Sequence, residues 1–212
     1  MTKSVVFEPW VGKDYPSGGI FKQKVLVLGE SHYCPEMNGV PPCRCENPAE
    51  RPDCKNFTKD VIRDVVYHYS GEPYMRTFAC FERAVFGQVP SQEEREAFWN
   101  SVSFYNYLQF AMSGPRLPIK RSTKESEEAF RQVLDCLMPD KVIIWGRKLY
   151  NIMPYWEGHD AGIIAKSGQH TDGWVYNING KDIPCMMVHH PSSPSGKNWE
   201  YWHPLYDSFL NL

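Results

Sequence analysis

Two polar clusters, far apart in the chain, hold side chains able to do chemistry. The first, Gly29-Glu30-Ser31-His32-Tyr33, follows the apolar run Val25-Leu26-Val27-Leu28. The second, His189-His190-Pro191-Ser192-Ser193-Pro194-Ser195, follows Met186-Met187-Val188. Each leaves the tip of an expected strand, where open α/β sheets place their ligand crevice, so the two can face one site. A third strand end, Phe104-Tyr105-Asn106, adds an amide. One chemistry compatible with the first cluster is nucleophilic, with Ser31 at a sharp turn and His190 or His170 as its base. The glycine that closes such a turn is missing, however, and no helical pattern follows at once. Each group also has a structural reading. Glu30 can bond amides of its own loop, Asn106 can cap its strand through an Asx-turn, and either histidine can be buried with a satisfied hydrogen bond. Pro191 biases His190 to extended backbone, where adjacent side chains point to opposite faces and only one of His189 and His190 faces the crevice.

A separate candidate is a metal site. Cys34, Cys43, Cys45 and Cys54 lie in a Pro-rich stretch with the nearly symmetric spacing C-x8-C-x-C-x8-C. Four thiolates can complete a tetrahedral zinc or hold an iron–sulfur cluster. The C-x-C step is not the usual C-x2-C knuckle, so free thiols or a loop disulfide stay open, although a reducing cytosol disfavours the latter. Cys80, Cys136 and Cys185 sit in apolar patterns and read as buried small hydrophobes.

The elements that must position these groups belong to a folded globular chain. It has 212 residues, 42% of them apolar and 14% aromatic, enough for a sizeable core in one domain spanning 1–212. With 23 basic and 25 acidic residues the net charge is −2, which argues against a nucleic-acid-coating protein but not against an enzyme with one local basic groove. No apolar run approaches the roughly 20 residues of a membrane span, and none near the start reads as a signal peptide. The expectation is a cytoplasmic monomer with no membrane partner.

In order along the chain, residues 1–23 read as an irregular lead-in, with Trp10, Tyr15 and Phe21 covering an edge of the core. Lys24–Leu28 is a strand buried on both faces, ended by Gly29. Residues 34–56 carry five prolines, too many for regular structure. Helical periodicity runs from Phe57 with Thr58 as N-cap, then from Pro73 to Gly87, and then from the capping box Ser91-Gln92-Glu93-Glu94. Ser101–Tyr107 is a second strand. A basic loop at 113–121 precedes a helix opened by Ser122-Thr123-Lys124-Glu125. Lys141–Gly146 is a third buried strand, and Arg147 and Lys148 then start a helix with positive charge that suits an anionic ligand. Residues 157–173 are polar and Gly-rich. The turn Asn179-Gly180 joins a hairpin that delivers the last strand, and an aromatic helix from Asn198 closes the chain. Strands separated by helices give a three-layer α/β fold with a mainly parallel central sheet.

Taken together, four of these stretches resemble the uracil-DNA glycosylase superfamily. Val25-Leu26-Val27-Leu28-Gly29-Glu30-Ser31-His32-Tyr33 is similar to the family's first motif, and Phe104-Tyr105-Asn106 to the strand end whose Asn reads the base. Val142-Ile143-Ile144-Trp145-Gly146 resembles the hydrophobic third strand, and His190-Pro191-Ser192-Ser193-Pro194-Ser195 the His-Pro-Ser motif of the DNA-inserting loop. Where the best known members carry Asp and Pro, this chain has Ser31 and His32. Other branches place their acid one step earlier, in a Gly-Glu pair that Gly29-Glu30 matches. The iron–sulfur branch has its first cysteine pair before the first strand, whereas the cysteines here follow it.

The resemblance implies a uracil-DNA glycosylase-like fold and hydrolysis of the N-glycosidic bond of a deaminated or modified base flipped out of DNA. No cofactor is required for that chemistry. Glu30 would orient or deprotonate water, His190 would stabilise the leaving base, and Asn106 and Tyr33 would define the pocket. Gly29, Ser31 and His32 would complete the first substrate-binding loop, while Ser192, Ser193 and Ser195 would contact phosphate. The partner would be single- or double-stranded DNA or another nucleobase-containing ligand. The alternative is a catalytically silent module on the same fold that binds nucleic acid or a nucleotide.

Overall fold

The structure, a computed structural model, describes residues 4–34, 52–112 and 122–211. In chain order the elements are β1 (Trp10–Val11), β2 (Val25–Gly29), α1 (Pro52–Tyr67), α2 (Pro73–Phe86), α3 (Gln92–Ser101), β3 (Val102–Asn106), α4 (Lys124–Leu137), β4 (Lys141–Trp145) and α5 (Arg147–Ile152). Four short or hairpin strands follow, β5 (Gly158–Asp160), β6 (Ile163–Ile164), β7 (His170–Thr171) and β8 (Gly173–Ile178), then β9 (Lys181–Val188) and α6 (Trp199–Leu210). The main sheet has the order β1-β3-β2-β4-β9-β8-β5 among the described residues. Strands β3, β2, β4 and β9 run parallel at its centre, β1 pairs antiparallel at one edge, and β8 and β5 are antiparallel at the other.

Alternation along each central strand builds two cores. Val25 and Val27 of β2, with Phe104, Ile143, Trp145, Met186 and Val188, pack under α1, α2, α3 and α6. Leu26 and Leu28, with Tyr105, Val142, Ile144, Cys185 and Met187, pack under α4 and α5. The architecture is therefore three-layer α/β, and β2 is fully buried on both faces, as its unbroken apolar run requires. No helix among the described residues is long and apolar enough to cross a membrane.

Several local expectations are corrected. Helix α1 begins at Pro52, with Asp53 in its first turn, so Thr58 lies inside the helix with a buried hydroxyl rather than at its N-cap. Thr123, not Ser122, caps α4, accepting from the Ser126 amide. The stretch 157–173, polar and Gly-rich in sequence, contains three short strands. Cys185 is buried, but Cys136 is exposed on α4 and Cys80 only half-buried. The Ser91 capping box and the Gly87 stop, with φ of 67° in the left-handed region, form as the sequence implies.

Among the described residues, the first core contains one buried carboxylate. Glu82 of α2 has no exposed surface and accepts from Trp99 Nε1 at 2.8 Å and Arg95 Nε at 2.9 Å, both on α3. Loss of solvent pushes its pKa up, and the Trp99 and Arg95 contacts oppose the shift. Replacing it with alanine leaves the Trp99 indole N–H without its acceptor and a largely buried guanidinium without its counter-ion. The expected result for Glu82→Ala is destabilisation by about 3 kcal/mol in chemical denaturation, and a loss under about 0.5 kcal/mol, the size of an ordinary surface change, would show that the pair contributes nothing.

Candidate functional site

The chain crosses from β3 through α4 to β4 on the far side of β2, so the strand order reverses between β2 and β4. That switch point is where ligands bind in open α/β sheets, outside the carboxyl ends of the strands. The residues reaching that edge are Gly29 and Glu30 from β2, Asn106 from β3, Gly146 to Lys148 after β4, and His189 and His190 after β9.

Pairing of β2 with β3 continues beyond both strands. The amides of Tyr107 and Leu108 donate to the carbonyls of Gly29 and Glu30, Met112 donates to His32, and Cys34 to Met112, at 2.8–3.0 Å. These bonds hold the first polar cluster on the edge of the sheet. Gly29 and Asn106 are direct partners in the register. A Cβ on Gly29 would lie 2.2 Å from Asn106 Oδ1, so only glycine lets the amide fold over this point.

The other end of that amide meets His32. Asn106 Nδ2 lies 3.3 Å from His32 Nδ1 and 3.2 Å from its Nε2, and His32 Nε2 lies 2.8 Å from Thr58 Oγ1 on α1. The amide nitrogen therefore sits against both ring nitrogens, with the Thr58 hydroxyl a further partner of Nε2. The imidazole is 4% exposed, stacks on Phe57 at 4.4 Å and meets the edge of Phe7 at 4.8 Å. Burial strips solvent from the imidazolium and pushes the pKa from 6.5 down to about 3. His32 is thus enclosed behind the crevice, where it fixes the rotation of Asn106, itself buried.

Glu30 reaches the crevice with a fifth of its side chain exposed, and its Oε1 lies 3.5 Å from Lys148 Nζ across the switch point. Ser31 Oγ is buried without a hydrogen-bond partner among the described residues, so no base stands beside it as a nucleophile would need. Tyr33 bridges to Met112 and leaves its side chain 45% exposed.

The second cluster forms a self-bonded loop. His190 Nδ1 lies 2.8 Å from Ser192 Oγ and accepts from the Ser192 amide at 3.3 Å. The His190 carbonyl accepts from the Ser193 amide and hydroxyl, and Ser193 Oγ accepts from the Gly196 amide. Since a backbone N–H can only donate, the neutral ring carries its proton on Nε2. The ring stands edge-on to Trp145 at 6.2 Å, and its loss of solvent holds the pKa below the ordinary value. His189 and His190 both lie past the end of β9. His190 faces β4, whereas His189 packs against Trp202 of α6, its ring pKa lowered by burial and by the Arg147 charge. Ser192 and Ser195 are exposed and Ser193 half-buried.

Of the cysteine stretch, Cys34 and Cys54 are half-buried, and Cys43 and Cys45 lie outside the described residues, as does the basic loop 113–121. No three metal-ligating side chains cluster among the described residues. Sequence reasoning missed the Glu30–Lys148 pair and the enclosure of His32, because both depend on contacts 118 and 26 residues away. Neither a protein-family model nor a curated protein matches the chain.

The His32 environment makes stability pH-dependent. In the unfolded chain the ring takes up a proton near 6.5, while in the folded chain it stays neutral to about 3. The unfolded state therefore binds more protons across that window, and stability falls as pH drops from 6.5 toward 3. In urea titrations at several pH values, the wild type should lose up to about 1.4 kcal/mol per pH unit more than a His32→Gln variant. Parallel curves would mean that His32 is not buried neutral.

Proposed function

We propose that this chain is a divergent uracil-DNA glycosylase-like hydrolase that cleaves the N-glycosidic bond of a flipped, deaminated or modified base in DNA. The observation that carries the reading is the His190 tautomer. Its Nδ1 is occupied by Ser192, which leaves Nε2–H, with no hydrogen-bond partner among the described residues, as a neutral donor at the carboxyl edge of the sheet. Glycosidic cleavage needs a donor where the leaving base becomes anionic and a carboxylate near the cationic sugar.

In the proposed step, water attacks C1′ and the C1′–N bond breaks with its electron pair leaving on the base. Glu30 accepts the proton of the attacking water. Nε2–H of His190 hydrogen-bonds the base oxygen as negative charge develops, and the base takes its final proton from solvent. Lowering of the His190 pKa by burial suits this role, because the ring stays a neutral donor at pH 7. Asn106, held by His32, presents its amide beside Gly29 in one orientation, as a group reading a base edge must. Tyr33 supplies an exposed ring for the pocket, while Ser192 and Ser195 supply hydroxyls for phosphate.

A silent binding module on the same fold is favoured by one observation, the contact of Glu30 with Lys148, which engages the carboxylate that should activate water. The two readings separate on base release. Purified protein is incubated with single- and double-stranded oligonucleotides carrying uracil, hypoxanthine or xanthine, beside a Glu30→Gln, His190→Ala double variant. The hydrolase reading expects release that falls by roughly a hundred-fold or more in the variant. Retained binding of these oligonucleotides with no release by the wild type would leave the binding module standing.

A further inference from the structure

Beside the proposed crevice, and sharing Arg147 and His189 with its edge, lies a cleft of about 580 Å³, within the range of small-ligand sites. Its lining joins residues from four places in the chain: Arg147 after β4, His170 on β7, His189 after β9, and Asn198 and Tyr201 at the start of α6. Two hydrogen bonds fix these walls together, Tyr201 Oη donating to the His170 carbonyl and Trp202 Nε1 to the Ser195 carbonyl, each at 2.9 Å.

The chemistry of the lining is that of a donor-rich site. Arg147, His170, His189, Ser195 and Asn198 all carry side-chain N–H or O–H groups. The one carboxylate, Asp172, is already engaged by Arg147 Nη1 at 2.6 Å, which leaves the other N–H groups of that guanidinium. A cation would meet Arg147 as a like charge, and an apolar ligand would strip water from donors it cannot satisfy. The space exceeds that of a bare anion, and its remaining surface is ring and proline, with His189 leaning on Trp202 at 5.2 Å, Tyr201 edge-on to Trp202, and Pro194 beside them.

We infer that this cleft binds a nucleotide unit, with its phosphate on Arg147 and its base against the His189 and Tyr201 rings. Burial and then the charge of Arg147 lower the His189 pKa, so the ring beside Arg147 is neutral at pH 7 and suits contact with a base while Arg147 carries the positive charge. The unit is either a free nucleoside 5′-monophosphate or the same group within a nucleic-acid strand. A strand could occupy the cleft and the crevice together, because His189 and His190 are adjacent. Binding here does not require that any glycosidic bond be cleaved.

Calorimetric titration at low salt tests the site with three probes: deoxyadenosine 5′-monophosphate, a short oligothymidylate and inorganic phosphate. Affinity for one or both nucleotide probes should fall by about ten-fold or more in Arg147→Gln. It should be unchanged in Arg131→Gln, a loss of the same charge on α4. Asp172→Asn removes the competing carboxylate and should bind as tightly as wild type or tighter, a sign that no folding defect produces. Preference for the oligothymidylate would assign a strand, and equal or better binding of the monophosphate a free nucleotide. No binding of either probe, equal binding by Arg147→Gln, weakening by Asp172→Asn, or inorganic phosphate binding as well as the nucleotides would overturn the assignment. None of these readouts involves base release, so the result is independent of the hydrolase reading.

Discussion

The structure of the site depends on the contact between Gly29 and Asn106. These two residues end neighbouring parallel strands, and the missing Cβ of one is filled by the amide of the other. From that point the chains after β2 and β3 stay paired through four further backbone hydrogen bonds, while a bulkier residue at 29 would displace the Asn106 amide from its place over the strand end. The run Glu30 to Tyr33 is consequently an extension of the sheet rather than a free loop. Its side chains are placed by the neighbouring elements they meet: Glu30 over the switch point, His32 against α1, and Tyr33 exposed.

Burial gives the histidines different parts within one edge. His32 is surrounded by Phe7, Phe57 and Thr58, so its ring is a neutral strut that turns the Asn106 amide. His190 is only partly covered, and the bond that Ser192 makes to Nδ1 selects which nitrogen faces outward. His189, one residue away, is turned against Trp202 near Arg147. A charge on His32 would cost most, having no solvent and no carboxylate beside it. Charges that do occur at this edge are paired across strand ends, Glu30 with Lys148 and Arg147 with Asp172. This local pairing suits a chain whose net charge is only −2, in which no single-sign field dominates.

The central strands were legible because each is buried on both faces and therefore written as an unbroken apolar run, visible at Val25–Leu28 and Val142–Trp145 without any partner. Helix limits were legible where a local device sets them, as at Ser91 and Gly87. They were not legible at Pro52, where the prolines before it masked a helix whose first turn carries no apolar stripe. Cys136 shows the same limit. Val133, Leu134 and Leu137 around it are apolar, but the helix face it shares with Asp135 looks outward. At the site, Glu30, Asn106 and His190 stand at the sheet edge where a polar residue after a strand run must fall. What no local pattern encodes is which polar side chain turns inward. The enclosure of His32 follows from Phe7 and Thr58 arriving from other elements, and the Lys148 contact from the crossing that brings β4 beside β2.

The loop after β9 shows how sequence constraint and chemistry meet in one segment. Gly196 accepts no side chain, because a Cβ there would lie 2.0 Å from the His190 carbonyl oxygen. That same carbonyl takes the Ser193 amide and hydroxyl, and Ser193 in turn receives the Gly196 amide. The result is a closed ring of bonds about His190 that involves no other element. The two prolines stiffen it further by fixing φ at positions 191 and 194. Rigidity of this kind fixes the imidazole by the backbone that bears it, so the ring needs no acidic partner to hold its tautomer. It also means that one face of the loop, with Pro194 and Ser195, walls the cleft toward α6 while the other aims His190 at β4. A substitution that loosens Ser193 or Gly196 therefore disturbs both faces together, whereas one at Ser192 acts on the His190 proton alone.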